Sequence, residues 1–206
     1  NNATILTPEL QKNSKGTGSQ ETRIRYYQYD TKGNPLELSK ENDVHITYIW
    51  DYSSTLPIAE VMNASWGQGV AYTSFEADGK GGWSFSGTPA TEGTEPAGKK
   101  SYSLSSGNIS YSGTLASGKK YYITYWAKGG AVTVNSIAGT SLLTKNYWTL
   151  YKRTLTYSGS GGITVSGSGY IDELRLYPDS SFMKKFTYTP EVGTTTSADV
   201  NSLYQQ

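Results

Sequence analysis

The chain predicts an all-β fold, a β-sandwich of jelly-roll type with flanking β-hairpin segments, and three observations carry that expectation. Short runs of aromatic and β-branched residues recur along the chain. Its 206 residues include 23 Gly, 18 Tyr and 5 Trp but only 2 Met, so tight turns are plentiful and aromatic rings supply much of the burial. No long helical period competes with the strand pattern. The clearest run is Gly118 to Lys128, GKKYYITYWAK, entered through Ser117-Gly118 and left through Gly129-Gly130. It reads as a central strand with turn signals at both ends. Alternation sets Tyr121, Ile123, Tyr125 and Ala127 on a core face and Tyr122, Thr124, Trp126 and Lys128 on the other.

In chain order, residues 1–22 are polar, with Lys15 to Ser19 reading as a loop. Thr22 to Tyr29 alternates as a strand and runs into Tyr29-Asp30-Thr31-Lys32-Gly33-Asn34, a tight turn. Val44 to Tyr52, VHITYIWDY, is a second strand. At Ala64 to Gly69 the composition shifts, and strands follow at short, regular spacing: Ala71 to Phe75, Gly82 to Phe85, Lys100 to Leu104, Ile109 to Leu115, Lys120 to Lys128, Ala131 to Ile137, Trp148 to Tyr157, Gly162 to Ser166 and Tyr170 to Tyr177. That spacing predicts a sandwich or jelly roll. Within Trp148 to Tyr157 the large apolar residues change phase, Trp148 and Leu150 and then Leu155 and Tyr157, which predicts a bulge. The organisation expected is a flank over 1–65, a module over 66–178 and a return segment over 179–206.

Several function classes fall away on composition. A net charge of +1 offers no clustered basic surface for nucleic acid. With no Cys there is no disulfide scaffold, thiol catalysis or Cys-based zinc site. No apolar run approaches the roughly 18 residues of a membrane span, and NNATILTPEL has no signal-peptide pattern; the chain reads as a piece of a longer one. Catalysis is not expected. The carboxylates of the module are Glu76, Asp78, Glu92, Glu95, Asp172 and Glu173, with Glu92 and Glu95 in the loop TPATEGTEPAG, and a glycosidase pair needs rigid placement. The sole histidine, His45, lies in a strand of the flank without a Ser or Asp constellation, and Trp83 and Trp148 read as core. The Gly-rich runs Gly159 to Gly162 and Gly167 to Gly169 precede no helix, so they are turns and not phosphate cradles.

Two resemblances add to this reading. The succession of Tyr29-Asp30, the Gly33-Asn34 turn, Trp50-Asp51-Tyr52 and Pro57 to Val61 resembles the YD repeats of bacterial Rhs-type proteins, which wind β-hairpins into a shell, and Phe186 to Thr196 looks like re-entry into such a chain. The ordered pieces Ser74-Phe75-Glu76, Gly82-Trp83, Gly98 to Leu104, Gly118 to Lys128, Tyr147-Trp148 and Tyr170 to Leu176 resemble carbohydrate-binding modules of the family 4, 9 and 22 type, with a galactose-binding-like jelly roll. The resemblance implies a structural calcium at Glu76 and Asp172, with carbonyls of the Asp78 to Gly82 loop completing a shell of oxygen ligands. It also implies a polysaccharide or glycan as partner, alongside the rest of the parent chain, and a secreted or cell-surface setting. Trp126 and Tyr122, with Thr124 and Lys128 as hydrogen-bonding neighbours, are the expected sugar platform. The alternative is a structural or adhesive spacer without sugar affinity, its outer face covered by the flanks.

Overall fold

The computed structural model describes residues 6–189, 193–198 and 204–205. Five strands open the chain: β1 (Leu10–Asn13), β2 (Glu21–Tyr29), β3 (Pro35–Lys40), β4 (His45–Asp51) and β5 (Leu56–Met62). The chain then builds β6 (Ala71–Thr73), β7 (Tyr102–Ser103), β8 (Ile109–Tyr111), β9 (Lys120–Lys128), β10 (Val132–Val134), β11 (Ile137–Ala138), β12 (Thr140–Lys145), β13 (Trp148–Thr156), β14 (Ile163–Gly167) and β15 (Tyr170–Pro178). It finishes with β16 (Phe182–Thr189), β17 (Gly193–Ala198) and β18 (Tyr204–Gln205). The fold is all-β, and no helix among the described residues is long and apolar enough to cross a membrane.

Three antiparallel sheets result. A six-stranded sheet, β12-β13-β9-β15-β6 with β7 pairing β15, faces a four-stranded sheet, β11-β10-β14-β8. Between them lies the main core, where Tyr121, Ile123 and Tyr125 of β9 and Ile171, Leu174 and Leu176 of β15 meet Ile109, Tyr111, Val132, Val134, Ile163 and Val165. This is a β-sandwich with inner faces packed as alternation requires. Trp83 joins that core edge-on to Tyr111, with ring centroids 5.9 Å apart.

The third sheet has eight strands in the order β1-β2-β3-β4-β5-β16-β17-β18. Its join is the feature that positions everything else: Met62 of β5 pairs with Phe182 of β16, followed by Val61 with Met183 and Ala59 with Lys185. The chain thus leaves this sheet at Met62, forms the whole sandwich, and re-enters at Phe182 beside the strand it left. Insertion there is cheap because the two ends of the sandwich already lie together.

Two local expectations are corrected, and one strand lies outside them: Leu10–Asn13, in the polar opening stretch, pairs with β2 as an edge strand. Gly82 to Phe85 is not a strand; it makes one isolated bridge, Ser84 to Ser110, because Trp83 and Phe85 both turn into the core. The predicted bulge in β13 is absent, since its pairing with β9 runs unbroken from Thr149–Ala127 to Thr156–Lys120. The phase change has another cause. Trp148 and Leu150 pack on the outer face with Trp126, whereas Leu155 and Tyr157 pack on the inner core, so the strand buries opposite faces at its two ends.

Candidate functional site

The outer face of the six-stranded sheet carries Tyr122, Thr124, Trp126 and Lys128, opposite the core residues of β9. It is not open. One half lies under the eight-stranded sheet: Tyr72 and Tyr177, with Tyr122 against them, pack on Ile58, Ala59, Val61 and Met183. Tyr122 is half-buried and edge-on to Tyr177 at 5.9 Å, and the Lys152 ammonium lies 3.3 Å from the centre of its ring. Thr124 is buried.

The other half closes on itself. Trp126 is 1% exposed, in a cluster with Trp148 and Leu150. The loop that carries Glu92 and Glu95 crosses this end, and Thr94 Oγ1 accepts hydrogen bonds from Trp148 Nε1 at 3.3 Å and Lys128 Nζ at 3.0 Å. Lys128 also lies over the rings of Trp148 and Tyr170, at 5.3 and 5.5 Å. The expected exposed platform at Trp126 and Tyr122 is therefore corrected: the face is as alternation predicts, but the chain's own loop and sheet cover it. An accessible aromatic at this end is Tyr147, 83% exposed. It sits in the β12–β13 turn, where Asn146 and Tyr147 take φ of 49° and 69°, as a two-residue hairpin demands.

Where the covering sheet meets the sandwich, charged groups are buried. Register in β15 slips between Asp172, paired with Trp126, and Arg175, paired with Thr124. The extra residue is Glu173, at φ 55°. Such a bulge re-aims a side chain, and here it turns Glu173 outward beside Asp172. Glu173 Oε1 accepts the Tyr72 hydroxyl at 2.9 Å, and Oε2 meets Lys185 Nζ from β16. All three charged residues are sealed, with exposures of 0% for Asp172, 1% for Glu173 and 2% for Lys185. Asp172 Oδ1 accepts the Glu173 N–H at 2.6 Å, while Oδ2 has no hydrogen-bond partner. Burial pushes the Asp172 carboxyl well above its usual range, with the Lys185 charge opposing. Burial likewise lowers the Lys185 ammonium from 10.5 to about 7, against the pull of Asp172.

Glu76 lies near enough for its charge to act on Asp172. Its Oε1 is taken up by the N–H groups of Lys99, at 2.7 Å, and Lys100. A Cβ on Gly98 would come within 2.5 Å of Glu76, so glycine is what lets the loop close on this carboxylate. The loop expected to complete a calcium shell is tied elsewhere: Gly81 O accepts Tyr72 N at 2.9 Å and Lys80 O accepts Trp83 N at 3.0 Å. Asp78 accepts Ser53 N and Oγ at 3.0 to 3.1 Å, and Asp51 accepts Gly79 N at 2.7 Å. Burial, and after it the neighbouring Asp78 carboxylate, push the Asp51 carboxyl up, while Asp78 is held down chiefly by the Ser53 N–H. No group of three or more His, Asp or Glu side chains gathers to hold a metal among the described residues. The Lys185 charge acts on Asp172 from the same buried joint.

His45, on β4, meets Glu37 through Nδ1 and stacks on Tyr27 at 4.6 Å. Glu37 is itself buried and accepts Trp66 N at 2.8 Å, so this pair ties the flank to the start of the sandwich. Sequence reasoning missed Glu173 and Lys185 as partners. The signal for Lys185 was present in FMKKFTYT, where alternation puts Lys185 on the buried side with Met183 and Thr187.

No family model, no curated protein and no solved structure matches this chain.

Proposed function

We propose that the protein is a non-catalytic structural module, a β-sandwich carried as an insertion on a strip of antiparallel sheet that belongs to a larger YD-repeat-like, surface-exposed bacterial chain. Its role is that of a spacer or adhesive element. The observation that carries this reading is the use of the sandwich's outer face: Tyr72, Tyr122 and Tyr177 are spent on the adjoining sheet, and Met62 pairing with Phe182 makes that contact a fixed joint. The up-and-down order of the eight-stranded sheet suits extension by further hairpins of the parent chain.

Carbohydrate binding is the competing function, and burial of Trp126 removes the plate on which it would rest. Titration calorimetry with a panel of soluble polysaccharides decides between them. The spacer reading expects no heat of binding. A saturable heat that disappears in Tyr147→Ala or Trp66→Ala would replace it with a sugar-binding module that uses the exposed rim.

A further inference from the structure

Lys185 and Glu173 meet at the joint between sheet and sandwich, Lys185 through the alternation of β16 and Glu173 through the bulge of β15. β16 buries a lysine on the side shared by Met183 and Thr187, and the bulge in β15 turns Glu173 toward it through a left-handed backbone at φ 55°. Strained backbone of this kind persists only where its surroundings hold it, and it clusters at functional positions. The contact between Lys185 Nζ and Glu173 Oε2 is shut off from water. A buried ion pair is expensive to keep, and an amine held against a carboxyl carbon has the proximity that drives amide formation.

The neighbours supply the remaining chemistry. The Tyr72 hydroxyl donates to Glu173 Oε1 at 2.9 Å, which polarises the carboxyl and stands ready for charge on that oxygen. Asp172, fully buried next to the pair, keeps Oδ2 without a hydrogen-bond partner and so has an oxygen free to carry a proton.

We propose that Lys185 and Glu173 condense spontaneously into an isopeptide bond, an amide between Nζ and Cδ that ties β16 to β15. Nζ gives up one proton, its lone pair attacks Cδ, and negative charge collects on Oε1 beside the Tyr72 hydroxyl. Nζ then gives up a second proton, the Cδ–Oε2 bond breaks, and Oε2 departs with both protons as water. Asp172 relays the protons from nitrogen to oxygen and ends in the state in which it began. Nothing is oxidised or reduced, and no co-reactant is needed. The product removes two buried charges and locks the returning strand to the last strand of the sandwich.

The test is the intact mass of the full chain under denaturing conditions. The expected mass is that of the sequence less one water, and a protease digest should contain a branched peptide joining the β15 and β16 fragments through Glu173 and Lys185. Lys185→Arg, which keeps the charge but cannot condense at this geometry, should fold and show the full mass. Asp172→Asn should fold by circular dichroism and retain the full mass far longer than the parent. The full sequence mass for the parent chain, with linear peptides carrying unmodified Lys185, overturns the proposal; so does a water loss that maps to any other residues. Undiminished condensation in Asp172→Asn overturns the role given to Asp172.

Discussion

Met62 and Phe182 are register partners in one sheet, although the entire sandwich lies between them in the sequence. That pairing fixes which face of the sandwich the flanking strands cover, and the consequences can be measured.

Stability should depend on the covering sheet. A sandwich made alone as residues 63–181 exposes Tyr72 and Tyr177, which the full chain buries to 0% and 7%. Uncovering large side chains costs about 1.5 to 3 kcal/mol each, so the isolated sandwich should unfold at a lower temperature, with a loss of a few kcal/mol. Calorimetry of the two chains checks this; equal transition temperatures would mean that the sheet adds nothing.

Trp126→Ala should behave as a core mutation. Removing a fully buried Trp leaves a cavity and costs about 3 to 5 kcal/mol, read as a lower midpoint in urea. Unchanged stability would mark Trp126 as a surface ring.

The pH dependence should carry the sign of raised carboxyl groups. Asp172, Glu76 and Asp51 all titrate above their ordinary values because they are buried. Above the unfolded carboxyl range the folded state therefore holds more protons than the unfolded one, and stability falls as pH rises through the folded values. Asp172→Asn should flatten that fall. Lys185 acts in the opposite direction: with a folded value of about 7 against 10.5 unfolded, an uncondensed Lys185 makes stability climb between those two pH values. The climb should be missing where the amide with Glu173 has formed. Chemical denaturation over the full pH range measures both slopes.

Chelation should leave the melting temperature unchanged, because the chain's own N–H groups already engage both carboxylates, those of Lys99 and Lys100 at Glu76 and that of Glu173 at Asp172. A melting temperature lowered by excess chelator, with calcium found by elemental analysis, would instead establish the ion that the family resemblance implies.

How much of this was legible in the sequence follows from what alternation encodes. Period-two patterning assigned both faces of β9 correctly, because Tyr121, Ile123 and Tyr125 answer to one inner core. It could say nothing of what lies over the outer face, since Tyr122 is met by strands distant in sequence and Trp148, packed with Trp126, by a loop around Thr94. The aromatic phase change in β13 was visible but ambiguous: a bulge and a strand buried on opposite faces at its two ends leave the same trace. The Asp172–Glu173 slip lay in a run, YIDELRLY, whose apolar pattern shows where the core is, but only the partner strand reveals which residue is extra. Lys185 paired with Glu173 depends on β16 rejoining beside β5, a long-range pairing that no local pattern specifies.

The central claim is that the outer face of the sandwich is covered by the chain itself, and hydroxyl-radical footprinting read by mass spectrometry tests it residue by residue. The account predicts rapid oxidation of Tyr147, 83% exposed, and protection of Trp126 and Tyr72, at 1% and 0%. Oxidation of Trp126 and Tyr72 at rates comparable to Tyr147 in the folded chain would contradict it.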